Sequence, residues 1–316
     1  MLSCIACITV TFNPDMLLLG RQLAALPPES PKVIVDNASC GERFLQIEKL
    51  VRATPNAQVI RNATNIGLAA GINKGVCYAC VTWPQADFAL LLDQDSEPRS
   101  GSVANLISTF RALAVAGENP GCVGPNLIDG TTGFAHGFHQ YTRWRWRRVY
   151  PASSSGTPIN CANLNGSGTL VPIELFVKLH GLDERLFIDH VDTEWAFRVL
   201  SKGYGLWGVP QAVFTHSMGL GGVRFWLFGW RVWPSRSAQR HYFLYRNAVI
   251  LMHRKYVPLV WKIWAAVKLV ITCWITMVIG PDRPSQLLNM WNGLLAGFRN
   301  GSHLQCEPGA LDKKVK

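Results

Sequence analysis

The sequence has 316 residues, of which 48% are hydrophobic and 16% charged, with a formal net charge of +11. That length holds one large α/β domain with an appendage, or two small domains, and the composition excludes a disordered chain. The positive excess calls for an anionic partner: nucleic acid, a membrane surface or a phosphorylated substrate.

Cys4–Phe12 is an apolar, β-branched run that stops at the turn signal Asn13-Pro14. No basic segment precedes it, so no cleaved signal peptide is expected. Asp15–Leu26 has helical spacing, with Leu17, Leu18, Leu23 and Leu26 on one broad face. Lys32–Val35 is a buried-type strand, Glu42–Arg52 a helix, Gln58–Arg61 a strand and Gly67–Cys80 a helix. Phe88–Leu92 is another apolar strand, ending in Asp93-Gln94-Asp95. Strands alternating with helices at this spacing imply βαβ units and a parallel sheet, whose ligands bind beyond the C-terminal strand ends. Thr11 and Asn13, Asp36 and Asn37, Asn62 and Asn65, and Asp93 and Asp95 stand at those ends.

The second half is less regular. Thr142–Arg148 is basic and aromatic, Asn165–Leu170 is a Gly/Ser loop running into a strand, and Leu186–Leu200 has helical spacing opened by acids. From Trp195 to Pro281 there is no acidic residue, while Arg224, Arg231, Arg236, Arg240, Arg246, Arg254, Lys255, Lys262 and Lys268 fall there among many Trp, Phe and Leu. That mixture suits an anionic membrane surface; nucleic acid, which needs fewer large aliphatics, is set aside. Tyr256–Gly280 is long enough to span a bilayer, yet Lys262 and Lys268 also fit an interfacial helix. The nine cysteines read as reduced, and the pairs Cys4/Cys7 and Cys77/Cys80 as small buried hydrophobes rather than zinc ligands.

Three groups carry chemistry. Asp93 and Asp95, two positions apart after a buried strand, can offer oxygens to a hard cation, although a solvated turn has the same look. Asp189, Asp192 and Glu194 cluster where a helix begins; capping accounts for one acid there more readily than for three, and one can serve as a general base. His216 follows an apolar run as a metal or phosphate ligand or as a structural histidine. Gly67, Gly71 and Gly75 match no phosphate-loop pattern and fit a helix packed closely on the sheet.

In this order the segments Val10–Pro14, Val35–Ser39, Asn65–Gly75, Leu90–Pro98, Asn165–Pro172, Gly181–Tyr204 and Arg240–Asn247 resemble family-2 glycosyltransferases of the GT-A fold. More narrowly, the chain resembles bacterial rhamnosyltransferases of O-antigen and cell-wall polysaccharide synthesis. The resemblance implies a mostly parallel sheet with flanking helices in a transferase domain at 1–220. Its donor half is about 1–100 and its acceptor half about 101–220, and 221–316 follows as a membrane-associated helical region. It implies an inverting enzyme with a nucleotide-sugar donor, dTDP-L-rhamnose above all, and a lipid-linked glycan acceptor at the cytoplasmic face of the plasma membrane. It implies Mg²⁺ or Mn²⁺ as cofactor, held by Asp95 and approached by His216. Thr11 and Asn13 would flank the nucleotide, Asp36 would accept from its pyrimidine, Asn65 would lie near it, and Asp93 near its ribose. Asp192 would be the base, with Glu194 beside it holding acceptor or positioning the helix. Many relatives carry Glu-Asp where this chain has Val191-Asp192. A sugar-1-phosphate nucleotidyltransferase would need a basic, glycine-rich loop that Thr9–Pro14 lacks. A catalytically dead scaffold would have no need of both Asp95 and Asp192.

Overall fold

The computed structural model describes residues 4–130, 132–216, 222–226, 230–234 and 236–301, with 222–226 and 230–234 described by backbone alone. Ser217-Met218-Gly219 and the last fifteen residues of the chain lie outside the described residues. The first half alternates as β1 (Cys4–Thr11), α1 (Met16–Ala25), β2 (Lys32–Asp36), α2 (Gly41–Arg52), β3 (Ala57–Arg61), α3 (Leu68–Thr82) and β4 (Ala86–Asp93). Next come β5 (Ser96–Pro98), α4 (Ser102–Val115), β6 (Pro120–Asp129), a hairpin of β7 (Phe138–Tyr141) and β8 (Trp146–Val149), and β9 (Ile159–Asn160). The chain continues through β10 (Thr169–Pro172), α5 (Ile173–Lys178), a 3-10 turn at Glu184–Leu186, α6 (Val191–Ser201) and β11 (Gly205–His216). A second hairpin, β12 (Gly222–Trp226) and β13 (Trp230–Pro234), precedes α7 (Ala238–His253), α8 (Leu259–Ile279) and α9 (Arg283–Gly301).

Nine strands make one sheet in the order β3-β2-β1-β4-β10-β6-β11-β5, with β9 also beside β11. The run from β3 to β4 is parallel, as is β6 with β11, while β10, β5 and β9 pair antiparallel. The alternation in the sequence therefore gives the mostly parallel sheet expected of it. Successive side chains of a strand point to opposite faces, so Ile5 and Cys7 pack with Leu19, Leu23 and Ile47, whereas Ala6, Ile8 and Val10 pack with Ile72 and Val76. Each such buried aliphatic contributes about 1.5–3 kcal/mol. Because both faces are covered, the strands read as continuous apolar runs. Cys4 and Cys7 fall on opposite faces for the same reason.

Two local expectations change. In α1 the inward residues are Leu19, Gln22 and Leu23, followed by Leu26, while Leu17, expected inward, is 70% exposed. Asp15 caps this helix, accepting from the N–H groups of Leu17 and Leu18 at 2.8 and 3.2 Å, which starts the inward face at Leu19. The α3 glycines are a packing device. A Cβ at Gly71 would stand 2.9 Å from Val10 and one at Gly75 2.5 Å from Ile8, so helix and strand approach more closely than any side chain allows.

The larger change lies at Leu186–Leu200, where helical spacing predicts one continuous helix. The helix begins only at Val191, and the preceding turn holds Phe187, Asp189 and His190 at φ of 63°, 62° and 61°. Left-handed backbone at residues with side chains is costly and persists only where the surroundings impose it. Here α7 and α3 impose it. The buried Asn247 amide nitrogen donates to the carbonyls of Leu186, Ile188 and Asp189 at 2.7, 2.8 and 2.9 Å. Arg246 donates to the carbonyls of Arg185 and Leu186 at 2.7 and 3.1 Å, and Arg240 pairs with the Asp189 carboxylate at 2.7 Å. From the other side the Leu68 N–H, at the start of α3, donates to Phe187 O at 2.6 Å. Local spacing favours helix, and these long-range ties override it.

The C-terminal helices share the core of the sheet domain. Ile250 and Leu251 of α7, and Trp261 and Ala265 of α8, belong to one buried cluster with Val191, Trp195 and Phe197 of α6. Replacing Asn247 by Leu keeps the branched outline but removes the donor for three carbonyls. The variant is expected to lose about 1–3 kcal/mol, measured as a lower denaturant midpoint. A variant as stable as the parent would show that other contacts hold the turn.

Candidate active site

The C-terminal ends of β1 and β4, the start of α6 and the end of β11 surround a cleft of about 590 Å³. Thr11, Asn65, Asp93, Asp95, Asp192 and His216 line it, and Asn13, Asp36 and Glu194 do not. Register brings the first group together. β4 ends at Asp93, and the short β5 turns back to pair Ser96 with His216, the last residue of β11. That pairing carries a histidine 121 positions away in sequence to within 3.3 Å of the Asp95 carboxylate, Nδ1 to Oδ1.

Asp93, Asp95 and His216 each offer one ligand atom, all within 4.8 Å of one another, and they are the one such group of three among the described residues. Two carboxylates and an imidazole fit a divalent cation of the Mg²⁺ or Mn²⁺ type. Asp93, expected near a ribose, thus stands within this group of candidate ligands. Burial pushes the Asp95 carboxyl up to about 6 against the pull of His216, with Asp93 pushing further. A bound cation would reverse that balance by favouring the charged form.

The Asp-Gln-Asp turn is held from behind by Gln22, a buried amide on the otherwise apolar inward face of α1. Its Nε2 donates to Asp93 O at 2.5 Å and Ser96 O at 2.8 Å, while its Oε1 accepts from Thr9 at 2.9 Å. Gln94 Oε1 accepts from the Phe12 N–H at 2.9 Å, and the Ser167 hydroxyl donates to Asp93 Oδ2. A polar residue inside an apolar helical stripe was the one sequence signal for Gln22.

Asp192 stands on the opposite side, half-buried at the first turn of α6. Its Oδ1 accepts from the Thr193 N–H at 2.8 Å, and among the described residues it forms no ion pair. Burial pushes its carboxyl up to about 6, partly opposed by that N–H, with Asp93 and Asp189 pushing further. Asp189 also faces the cleft but is paired with Arg240.

Three expected site residues sit elsewhere. Asp36, expected to accept from a pyrimidine, is fully buried. Its Oδ1 accepts from Thr11 at 3.2 Å and its Oδ2 from the Ser39 N–H at 3.0 Å, so it braces the ends of β1 and β2. Asn13 bridges the same two loops, its N–H donating to Ser39 Oγ at 2.8 Å and its Oδ1 accepting from the Cys40 N–H at 2.9 Å. Glu194 points into the protein and is fully buried. It pairs with Arg198 at 2.9 Å and Arg254 at 3.4 Å and also accepts from Tyr256, which leaves it no free edge to hold an acceptor. Its position ties α6 to α7, the helix-positioning alternative read from the sequence. Asn37, Arg236 and Arg240 line the cleft without having been singled out as site residues.

No protein-family model matches the chain. In sequence it is 28% identical over 261 residues to a dTDP-rhamnosyl transferase, RfbF, of Shigella flexneri, covering 81% of this chain and 82% of that one. Among solved structures it resembles GalNAc-T7 with UDP, GalNAc and Mn²⁺, at a TM-score of 0.55 and 17% identity. That match covers 78% of this chain and 51% of GalNAc-T7, so the chain spans about half the length of that protein. It also resembles the mannosyltransferase PcManGT of Pyrobaculum calidifontis, in complex with GDP-Man and Mn²⁺, at a TM-score of 0.53 and 13% identity, covering 96% of this chain and 88% of that one. The sheet order and these structural likenesses agree: the chain has the GT-A fold found in these glycosyltransferases.

Proposed function

We propose that the chain transfers L-rhamnose from dTDP-L-rhamnose, with inversion, to a lipid-linked glycan at the cytoplasmic face of the plasma membrane. The observation that carries this reading is the division of carboxylates in the cleft. Asp93 and Asp95 stand with His216 as a candidate cation site, Asp189 is paired with Arg240, and Asp192 forms no ion pair among the described residues. The related dTDP-rhamnosyl transferase supports the sugar and the nucleotide. The neighbours solved with nucleotides and Mn²⁺ support a nucleotide-sugar donor and a divalent cation.

A cation held by Asp93, Asp95 and His216 would offset the charge that gathers on the departing diphosphate. Asp192 takes the proton from the acceptor hydroxyl as its oxygen bonds to the anomeric carbon and the bond to the diphosphate breaks. A single base without a second carboxylate nucleophile gives one displacement, hence inversion. Asn65 and Thr11, which also line the cleft, are the residues assigned here to the nucleoside.

The membrane reading rests on α8 and α9. Helix α8 has 21 residues with a mean hydropathy of 1.7. Trp261, Ala265, Leu269 and Thr272 on one face are buried against the protein, while Leu259, Ile263, Val270 and Trp274 are exposed. On α9, Leu288, Trp291 and Phe298 are exposed as well. One protein-packed face and one bare apolar face describe a helix lying in the interface plane rather than crossing it.

Four outcomes test the proposal. In a panel of nucleotide sugars with Mn²⁺, dTDP-L-rhamnose should raise the melting temperature most and EDTA should abolish the shift; a larger shift with a UDP or GDP sugar would refute the donor. Asp192→Asn should cut transfer by about 10²–10⁴ with donor binding retained, and a fully active variant would remove Asp192 as base. Because the base form exists above its folded pKa near 6, kcat/KM should climb with pH through that value and level off above it. The charges nearest Asp192 are Asp93, Asp189 and Lys268. In cell fractionation the full-length protein should sediment with membranes and need detergent for release; recovery in the soluble fraction at low salt would refute membrane binding.

A further inference from the structure

The three candidate ligands share one support behind the cleft. Gln22 lies on the inward face of α1 with Leu19 and Leu23, is fully buried and does not itself line the cleft. Its two amide hydrogens go to the carbonyls of Asp93 and Ser96, the residues that begin and end the turn carrying Asp95. Those carbonyls stand three positions apart in sequence, so one NH₂ group spans the whole turn and sets its width. Ser96 carries the constraint further. It pairs with His216 in the β5–β11 register, and its Oγ lies 3.4 Å from His216 Nδ1. Asp93, Asp95 and His216 thus depend on two carbonyls that a single side chain grips.

The amide is held at both ends. Thr9 of β1 donates to Gln22 Oε1 at 2.9 Å. Turned over, the amide would set its oxygen against both carbonyls, so those two acceptors fix which end faces the turn. The helix that carries it is fixed as well. Asp15 caps α1, and Arg21, the residue before Gln22, pairs with Glu97 of β5 at 2.7 Å, next in sequence to Ser96. An amide buried among leucines gives up its water, and an apolar side chain would fill the stripe without that cost. Local rules of this kind are broken at functional sites.

We propose that Gln22 is a positioning residue for the cation: by clamping the carbonyls of Asp93 and Ser96 it holds Asp93, Asp95 and His216 at the spacing that a divalent ion requires. This rests on the reading of those three residues as a cation site. Gln22 touches neither the ion nor a substrate. It acts through the backbone of the turn, as the groups behind metal ligands do when they orient them.

Mn²⁺ alone is the probe, titrated into the full-length protein without nucleotide and followed by the electron paramagnetic resonance of the free ion. Gln22→Met keeps the length of the side chain and a good helix former but removes both donors. It should weaken Mn²⁺ binding by about 10–100-fold. Gln22→Asn, an amide one methylene too short to reach the turn, should lose affinity as well, and it carries the test if Gln22→Met does not fold. Thr9→Val is the control for packing. It removes the hydrogen bond at the other end of the same amide and leaves both donors in place, so it should lower the melting temperature in EDTA while binding Mn²⁺ as the parent does. Parent-like Mn²⁺ affinity in folded Gln22→Met or Gln22→Asn overturns the inference. Equal weakening in Thr9→Val overturns it too, because the effect would then be a general loosening of the core. A parent that binds no Mn²⁺ would refute the cation site itself, and the inference with it. Failure of the nucleotide-sugar panel with Mn²⁺ binding still dependent on Gln22 would refute the donor reading and leave this role standing.

Discussion

The turn from Leu186 to His190 cannot hold its own shape. Three of its residues have left-handed backbone without being glycine, a conformation that persists where the surroundings impose it. The Asn247 amide, with three carbonyls about it, supplies the restraint from a helix some sixty positions further along. Other features follow from that contact. The turn sets where α6 begins, α6 sets where Asp192 stands, and the buried Glu194–Arg198–Arg254 group then ties α6 back to the end of α7. The helices after the sheet therefore help to position Asp192, and α8 also carries a bare apolar face. Trp261 shows the overlap, belonging to the α6 core while standing on the helix whose outer face is bare.

The cleft has two electrostatic halves. On the β4 side two carboxylates and an imidazole stand together, and burial, with Asp93 adding to it against the pull of His216, raises the pKa of Asp95. Across the cleft Arg236 and Arg240 face Asp189, so the opposite side is basic. Asp192 lies between them, where its burial lifts it into the range useful for accepting a proton near neutral pH.

Much of the donor half was legible in the sequence. Strands covered on both faces announce themselves as apolar runs, and the acids that end β4 stand at the ligand edge of any such sheet. What escaped depended on distant partners. Leu186–Leu200 has helical spacing, and only contacts with α3 and α7 break it. Asp36 and Glu194 look like free carboxylates on paper, but Thr11, Ser39, Arg198 and Arg254 claim them once the chain is folded. His216 read as one histidine after a strand; its value comes from the β5 pairing, and a three-residue strand is too short to predict. The Thr142–Arg148 segment showed its charge but not its position, because the ring contacts of Trp146 reach α6 and, through it, α8.

The Asn247 clamp acts entirely on backbone. It grips carbonyl oxygens, which every amino acid supplies, and ignores the side chains of the turn it shapes. Phe187, Ile188 and His190 all line the cleft, yet none of their side chains takes part in that grip. The path of the turn is thus set through its backbone, while its Phe187 and His190 rings are seated separately, on Phe243 of α7 and Trp261 of α8.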